Sequence, residues 1–272
     1  MSASMRSVII IAKKNSVDAE EAALKVSDLL KSRKMNVYCV SPLRMDNCKT
    51  VDLANLAHVS AEFIIAIGGD GTTLRAFRTL PRRVPLLSVN VGGHRGILSE
   101  IDTGSLEEGI RAMLDGKCDL DCRIRIQGSI EKENLPPALN DILITRKNIT
   151  RTPVVSIRLM NDQIHQRMDG LLVSTPTGST GHSLSIGGPV IHERMDCLVL
   201  CPIAAVNRIP LMVIPVQQIY VMSNRDSQVV VDGQEVFELP AGQSITLTKY
   251  ADDACFLRLR KKGLRQLDKL GF

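Results

Sequence analysis

Phe63-Ile64-Ile65-Ala66-Ile67-Gly68-Gly69-Asp70-Gly71-Thr72-Thr73-Leu74-Arg75 reads as a buried strand, a glycine turn and the start of a helix. The glycines let the backbone approach an anion, and the first N–H groups of a helix point at it. A plain strand-to-helix turn could carry the glycines alone. Asp70 sets this loop apart. A carboxylate in its centre repels phosphate unless it binds a metal or takes a proton, and phosphoryl transfer to a hydroxyl uses both jobs.

Outward from this loop the pattern alternates. Residues 6–12, 36–40, 62–67 and 86–91 read as apolar strands. Residues 17–33 carry helical spacing, with acids early and Lys/Arg late, which suits the helix dipole. A helix is predicted from about 72 to 79, stopping before Pro81, and another near 105–115. Strands alternating with helices imply a parallel sheet covered on both faces. From Cys118 onward the segments become short and β-like: 121–130, 139–146, 153–159, 164–173, 198–202, 217–223, 228–232 and 243–249. Turn residues separate them, among them Pro136-Pro137, Asn161-Asp162, Asp232-Gly233 and Ala241-Gly242. One helix is expected over 179–186. The expected organisation is an α/β domain over 1–104 and an antiparallel, sandwich-like β domain over 105–254. The segment 255–272, a strand and then a short helix, is expected to return to the first domain.

Composition narrows the function classes. The chain has 272 residues, 44% hydrophobic and 23% charged, ordinary for a globular protein. No apolar run reaches the ~18 residues of a membrane span. Val8-Ile9-Ile10-Ile11-Ala12 runs straight into Lys13-Lys14, so it reads as a strand and not as a signal peptide. The formal charge is +5, but aromatics are 3% with no Trp, which leaves little for stacking nucleic acid. Arg258, Arg260, Lys261, Lys262 and Arg265 are read as a solvated basic face. Seven Cys is an odd count, which argues against a disulfide framework and for a reducing, cytoplasmic setting. Cys118/Cys122 and Cys197/Cys201 have four-residue spacing in expected strands, where the pair stands roughly 13 Å apart. They are read as structural thiols.

Three further constellations carry chemistry. Asn90-Val91-Gly92-Gly93-His94-Arg95-Gly96 ends another strand, and in a parallel sheet ligands bind at the carboxyl ends of the strands. His94 and Arg95 there could contact phosphate, or the run is a surface loop. Asp169 to Ser183 packs six hydroxyls and three glycines, suited to ribose and phosphate oxygens or to helix capping. Asn140-Asp141 opens the strand Ile142-Leu143-Ile144. The pair either grips vicinal ribose hydroxyls or marks a turn. The histidines are scattered, and neither a G-x-S-x-G elbow nor a Walker loop is present.

Taken together, these residues resemble the NAD kinase family, which phosphorylates the 2′-hydroxyl of the adenosine ribose of NAD to give NADP. Gly68-Gly69-Asp70-Gly71-Thr72 looks like the family's GGDGT signature, and Asn90 to Glu100 resembles its second glycine loop. Asn140-Asp141 sits where the family has Asn and an acid. Asp169 to Pro189 is similar to its long DG…STPTGST…SLSAGGP stretch. Weaker echoes are Cys201-Pro202-Ile203 with Arg208, and Asp232-Gly233-Gln234. GGDG alone is shared with diacylglycerol, sphingosine and phosphofructokinase relatives; the long third motif is the specific one.

The resemblance implies an α/β domain, a β-rich domain and an active site between them. It implies that Asp70 is the general base, or is close to the reacting hydroxyl. It implies that Gly71, Asn140, Asp141, Arg167, Asp169, Ser174, Thr180, Gly181 and His182 bind NAD, and that Gly68, Gly69, Thr72 and Arg95 bind phosphate. It implies Mg²⁺ or another divalent ion, ATP or polyphosphate as donor, and a homodimer or homotetramer; no direct protein ligand to the metal is named. Departures from the family pattern are His182 where many members have Tyr, Asp141 where Glu is commoner, Ile97 in place of an aromatic, and Ala204-Ala205 in place of a more polar pair. Two rival readings are a lipid kinase of the same superfamily and a non-catalytic NAD(P)-binding sensor.

Overall fold

Val8, Ile10 and Ala12 line one face of the first strand, and Ile9 and Ile11 line the other; all five are buried. A strand apolar on both faces belongs inside a sheet covered on both sides. The computed structural model describes residues 6–46, 48–80, 83–92, 96–259 and 265–271. The chain divides into two compact units, residues 1–122 with 254–272, and residues 123–253.

The first unit runs β1 (Ser7–Ala12), α1 (Val17–Ser32), β2 (Asn36–Val40), β3 (Lys49–Val51), β4 (Phe63–Ile67), α2 (Asp70–Thr79), β5 (Leu86–Asn90), β6 (Ile101–Asp102), α3 (Leu106–Leu114) and β7 (Asp119–Arg123). Its sheet has the order β3-β2-β1-β4-β5, then the late strand Ala254–Arg258, then β7, with β6 beside β5. β1 to β5 pair in parallel. Ser16 caps α1, its hydroxyl accepting the N–H of Ala19 at 3.4 Å. Ala19, Ala23, Val26 and Leu30 of α1, with Leu106, Ile110 and Met113 of α3, share one core with Val8, Ile10, Ile65 and Val89. Each fully buried aliphatic contributes about 1.5–3 kcal/mol. Phe77 of α2 instead meets Phe256 edge-on, ring centroids 4.8 Å apart.

The second unit is two antiparallel six-stranded sheets. Its strands are β8 (Ile126–Ile130), β9 (Glu133–Asn134), β10 (Asp141–Arg146), β11 (Val154–Leu159), β12 (Asp162–Arg167), β13 (Gly170–Ser174), β14 (Cys197–Ile203), β15 (Met212–Pro215), β16 (Ile219–Ser223), β17 (Ser227–Val231), β18 (Glu235–Leu239) and β19 (Ser244–Lys249). One sheet has the order β15-β14-β13-β10-β17-β18 and the other β12-β11-β16-β19-β8-β9. Alternate residues from both, such as Ile142, Leu171, Leu200 and Val229 with Ile157, Val221, Ile245 and Leu247, form one core.

The structure differs from the sequence reading at several places. The units meet at Cys122/Arg123 and Asp253/Ala254, not at 104/105 and 254/255, because α3 turns its apolar stripe to the parallel-sheet core. The expected single segment 121–130 is two strands in different sheets, and so is 164–173. Alternation runs through Cys122, Ile124 and Ile126 across the first break, so pattern alone does not show the chain changing sheets there. The expected helix over 179–186 is a 3₁₀ turn (Thr177–Thr180) and a four-residue helix (His182–Ser185) joined at Gly181.

Two composition readings are also corrected. Cys122 is bonded to Cys255, so it is not a free thiol; neighbouring strands join residues 133 positions apart, and no local signal marks them. Cys197 and Cys201 are free and buried, and Cys118 is free. Arg258 and Arg265 are not solvated. Arg258 Nε bonds Asp121 Oδ2 at 3.1 Å, and both arginines meet Glu100, at 3.3 and 2.5 Å. Arg260, Lys261 and Lys262 lie outside the described residues.

Candidate active site

The first corner is built around Asp70. Gly68 closes β4: its N–H donates to Val89 O of β5 at 2.8 Å. A Cβ on Gly68 would lie 2.3 Å from the Thr72 hydroxyl oxygen, so only glycine fits. α2 then begins at Asp70, two residues earlier than its hydrophobic pattern predicts. The half-buried Asp70 carboxylate takes two backbone amides, Ile97 N–H on Oδ2 at 2.9 Å and Leu98 N–H on Oδ1 at 3.0 Å. This uses one lone pair on each oxygen and sets the plane of the carboxylate.

The amides come from the loop after β5, and that loop is itself anchored. A Cβ on Gly96 would lie 2.4 Å from Ser99 Oγ and 3.0 Å from Asp70 Oδ1. Beneath it, Thr73 Oγ1 and Ser88 Oγ stand 2.6 Å apart, with Ser99 Oγ 3.4 Å further on. Arg258 Nη1 donates to Leu98 O at 3.0 Å. Thus Leu98 is held at its N–H by Asp70 and at its carbonyl by the final strand. Sequence reasoning missed Arg258 and both amides, which lie far from Asp70 along the chain.

The expected phosphate cradle is partly occupied by the fold. The Thr72 N–H donates to Gly69 O at 2.9 Å, and the Gly68 N–H is used as above, so neither amide points outward. Gly69 is half-buried and Gly71 exposed. Sequence reasoning also missed Arg75, whose Nη2 donates to Ala12 O at 2.8 Å, at the carboxyl end of β1. Its Nε is buried without a partner among the described residues. Burial, and then the charge of Arg78, hold its pKa below the ordinary value. Arg95 and His94 lie outside the described residues.

The second corner lies in the β unit, where β10 begins. Asn140 and Asp141 are held through their backbone. Asp232 accepts the N–H of Leu139 at 3.1 Å, of Asn140 at 2.7 Å and of Asp141 at 3.3 Å. The Asp232 N–H returns a bond to Asp141 O at 3.0 Å. On the other side, Asn140 O accepts from Thr175 N–H at 2.8 Å and Ser174 Oγ at 3.2 Å. Thr175 Oγ1 donates to Leu139 O at 2.5 Å. A Cβ on Gly178 would lie 2.1 Å from Asn140 O, so this glycine permits the approach. Burial, and then the negative charge of Asp232, push the Asp141 carboxyl up to about 7.

This geometry reassigns much of the hydroxyl-rich run. Ser174, Thr175, Ser179 and Ser183 are buried and bonded inside the unit: Ser174 to Asn140 O, Thr175 to Leu139 O, Ser179 to Pro176 O, and Ser183 beside Cys201 Sγ. Ser174 and Thr175 form the bed of residues 139–140, whereas Ser179 ties Pro176 to Ile191 and Ser183 stands against Cys201. Thr180 is buried, Gly181 half-buried and His182 exposed. Asp169 pairs with Arg146 at 2.8 Å, with a quarter of each side chain exposed. Arg167 ends β12 and is exposed. The sequence reading missed Arg146 and the clamp by Asp232; Thr175 stood only within the hydroxyl-rich run, and Asp232-Gly233-Gln234 only as a turn and a weak family echo.

Among the described residues no three His, Cys, Asp or Glu side chains gather as a cation cage.

Both halves match known domains. Residues 8–118 match the ATP-NAD kinase N-terminal domain, and residues 139–259 match the ATP-NAD kinase C-terminal domain. An NAD kinase of Thermococcus sibiricus is 32% identical over 262 residues, covering 93% of this chain and 94% of the relative. The fold is also that of yeast NADH kinase in complex with NADH (TM-score 0.88, 20% identity, 99% of this chain and 87% of that one). An Archaeoglobus fulgidus NAD kinase in complex with ATP gives a TM-score of 0.80 at 24% identity, covering 98% of this chain and 99% of that one. Matched through both domains and along nearly the whole length of a relative, this chain belongs to the ATP-NAD kinase family.

Proposed function

We propose that Asp70 is the general base in a direct transfer of the γ-phosphoryl group of ATP to the 2′-hydroxyl of the adenosine ribose of NAD. Phosphorylation of NAD to NADP with ATP is the reaction of the family to which the chain belongs. The observation that carries the proposal is the double amide contact on Asp70 at the start of α2. It orients the carboxylate and leaves a second lone pair on each oxygen for a hydroxyl proton. A ribose hydroxyl is a poor acid, so positioning and charge stabilisation supply most of the acceleration.

The other roles follow from each corner. Gly69 and Gly71 give the phosphate chain close access at the loop, and Arg75 adds a cation there that sequence reasoning did not include. Asn140 and Asp141 hold ribose hydroxyls. Asp169, Arg167, Thr180, Gly181 and His182 complete dinucleotide binding, and Ser174 contributes by holding Asn140. The divalent ion arrives with the nucleotide phosphates as part of that substrate. Arg95 remains an expectation on residues outside those described.

The test is NADP formation from NAD with Mg²⁺ and ATP, run beside inorganic polyphosphate and a lipid acceptor. NADP in the ATP arm is the expected result. NADP in the polyphosphate arm adds a second donor. Lipid phosphate, or nucleotide-induced thermal stabilisation without turnover, would replace this reading with a lipid kinase or a sensor. A homodimer or homotetramer is the assembly proposed, to be read by light scattering. No helix among the described residues is long and apolar enough to cross a membrane; a cytoplasmic location remains a proposal.

A further inference from the structure

Asp232 occupies a turn, and a turn alone would explain an acidic residue there. β17 and β18 pair from Val231↔Glu235 outward, leaving Asp232-Gly233-Gln234 as the loop. Asp232 and Gly233 have φ of +50° and +65°, left-handed values that Asp, Asn and Gly tolerate best. The turn does not require what the side chain does. Its two oxygens take three consecutive amides from Leu139, Asn140 and Asp141, which lie about ninety residues earlier in the chain. Its own N–H closes the ring on Asp141 O.

We infer that Asp232 is a positioning residue for dinucleotide recognition. It fixes the backbone from which the Asn140 and Asp141 side chains project. Thr175 and Ser174 hold the carbonyls of the same segment, so residues 139–141 are gripped along both backbone edges. The grip uses buried partners: Asp232, Ser174 and Thr175 are each less than a tenth exposed. Bonds to a charged acceptor are the stronger kind, so the carboxylate sets the position and the hydroxyls refine it. The inference rests on the reading that Asn140 and Asp141 contact the ribose.

Asp232→Asn is the informative change. Asn supports left-handed φ at least as well as Asp, so the turn survives, but one of the two acceptor oxygens is lost. The expected result is a rise in KM for NAD of about tenfold or more, with kcat lowered less than about threefold and KM for ATP within about twofold. A general structural defect would move both substrates together. Asn140→Ala is the control for the underlying reading. If Asn140→Ala raises the NAD KM and Asp232→Asn does not, the inference is overturned and the ribose reading stands. If Asn140→Ala leaves the NAD KM unchanged, the ribose reading fails first. Should Asp232→Asn not fold, Thr175→Val decides. It removes the hydroxyl's bonds to Leu139 O and from Gly178 N–H while the Thr175 N–H bond to Asn140 O stays, and a rise of about threefold in NAD KM supports the clamp. An unchanged NAD KM in Thr175→Val overturns it.

Discussion

The Asp70 corner and the Asn140 corner solve opposite problems. At Asp70 the chemistry sits on a side chain, and backbone amides of Ile97 and Leu98 hold it. At Asn140 the backbone is the object held, and the side chains of Asp232, Ser174 and Thr175 hold it. The first arrangement presents a carboxylate in a set orientation at a helix start. The second presents a strand end whose two side chains are aimed by a rigid main chain. On the proposed roles, an atom that takes a proton needs orientation, whereas atoms that recognise a sugar need a stable platform.

The largest expected effect tests the first corner. Asp70→Asn should fold normally, since the amide can still accept one loop N–H, yet turnover should fall about 10²–10⁴-fold. Steady-state rates with a matched thermal unfolding curve check this; retention of more than about a tenth of the activity removes Asp70 from the base role.

The next tests the second corner through pH. Asp141 is raised to about 7 by burial and then by Asp232. Its unfolded value is near 4, so between about pH 4 and pH 7 the folded state holds the extra proton. The contribution of Asp141 to stability therefore falls as pH rises through that window and levels off above it. Asp141→Asn should flatten the fall by on the order of 3 kcal/mol between pH 4 and pH 8. Denaturant melts at four pH values read it, and parallel slopes in the two proteins would show that Asp141 does not titrate in this way.

Gly96→Ala returns to the first corner with a smaller perturbation. The new methyl would press on Ser99 Oγ and on Asp70 Oδ1. About a tenfold loss in kcat is expected, with stability lowered by about 1–3 kcal/mol. Unchanged kcat would mean that the carboxylate tolerates displacement. The smallest effect belongs to Arg146→Met. Its pair with Asp169 is partly exposed, so the loss should stay below about 1 kcal/mol in stability, with NAD KM changed only a few-fold. A tenfold change would promote Arg146 to a direct dinucleotide contact.

The same contrast explains what could be read from residues. The Asp70 loop is contiguous: Gly68, Gly69, Asp70 and Gly71 carry their own turn and helix start, so a short run of neighbouring residues announces it. The clamp on Asn140 joins residues 139–141, 174–178 and 232, and each part alone reads as an ordinary turn or cap. The hydroxyls of 174–183 were visible as a cluster, but whether a hydroxyl faces a ligand or a carbonyl depends on what packs over it. The break within 121–130 leaves no local mark because alternation persists as the chain passes from one sheet to another.

The amino-acid order alone determined the alternating parallel-sheet unit, the β-rich unit after it and the glycine–aspartate loop, because hydrophobic period and glycine conformational freedom act over a few neighbouring residues. Only the folded chain decided that Cys122 meets Cys255, that Arg258 anchors the loop at Leu98, and that Asp232 carries Asn140. Those pairings bring together residues about 90 to 160 positions apart, and a bond across such a span is set by which strands the whole core places side by side.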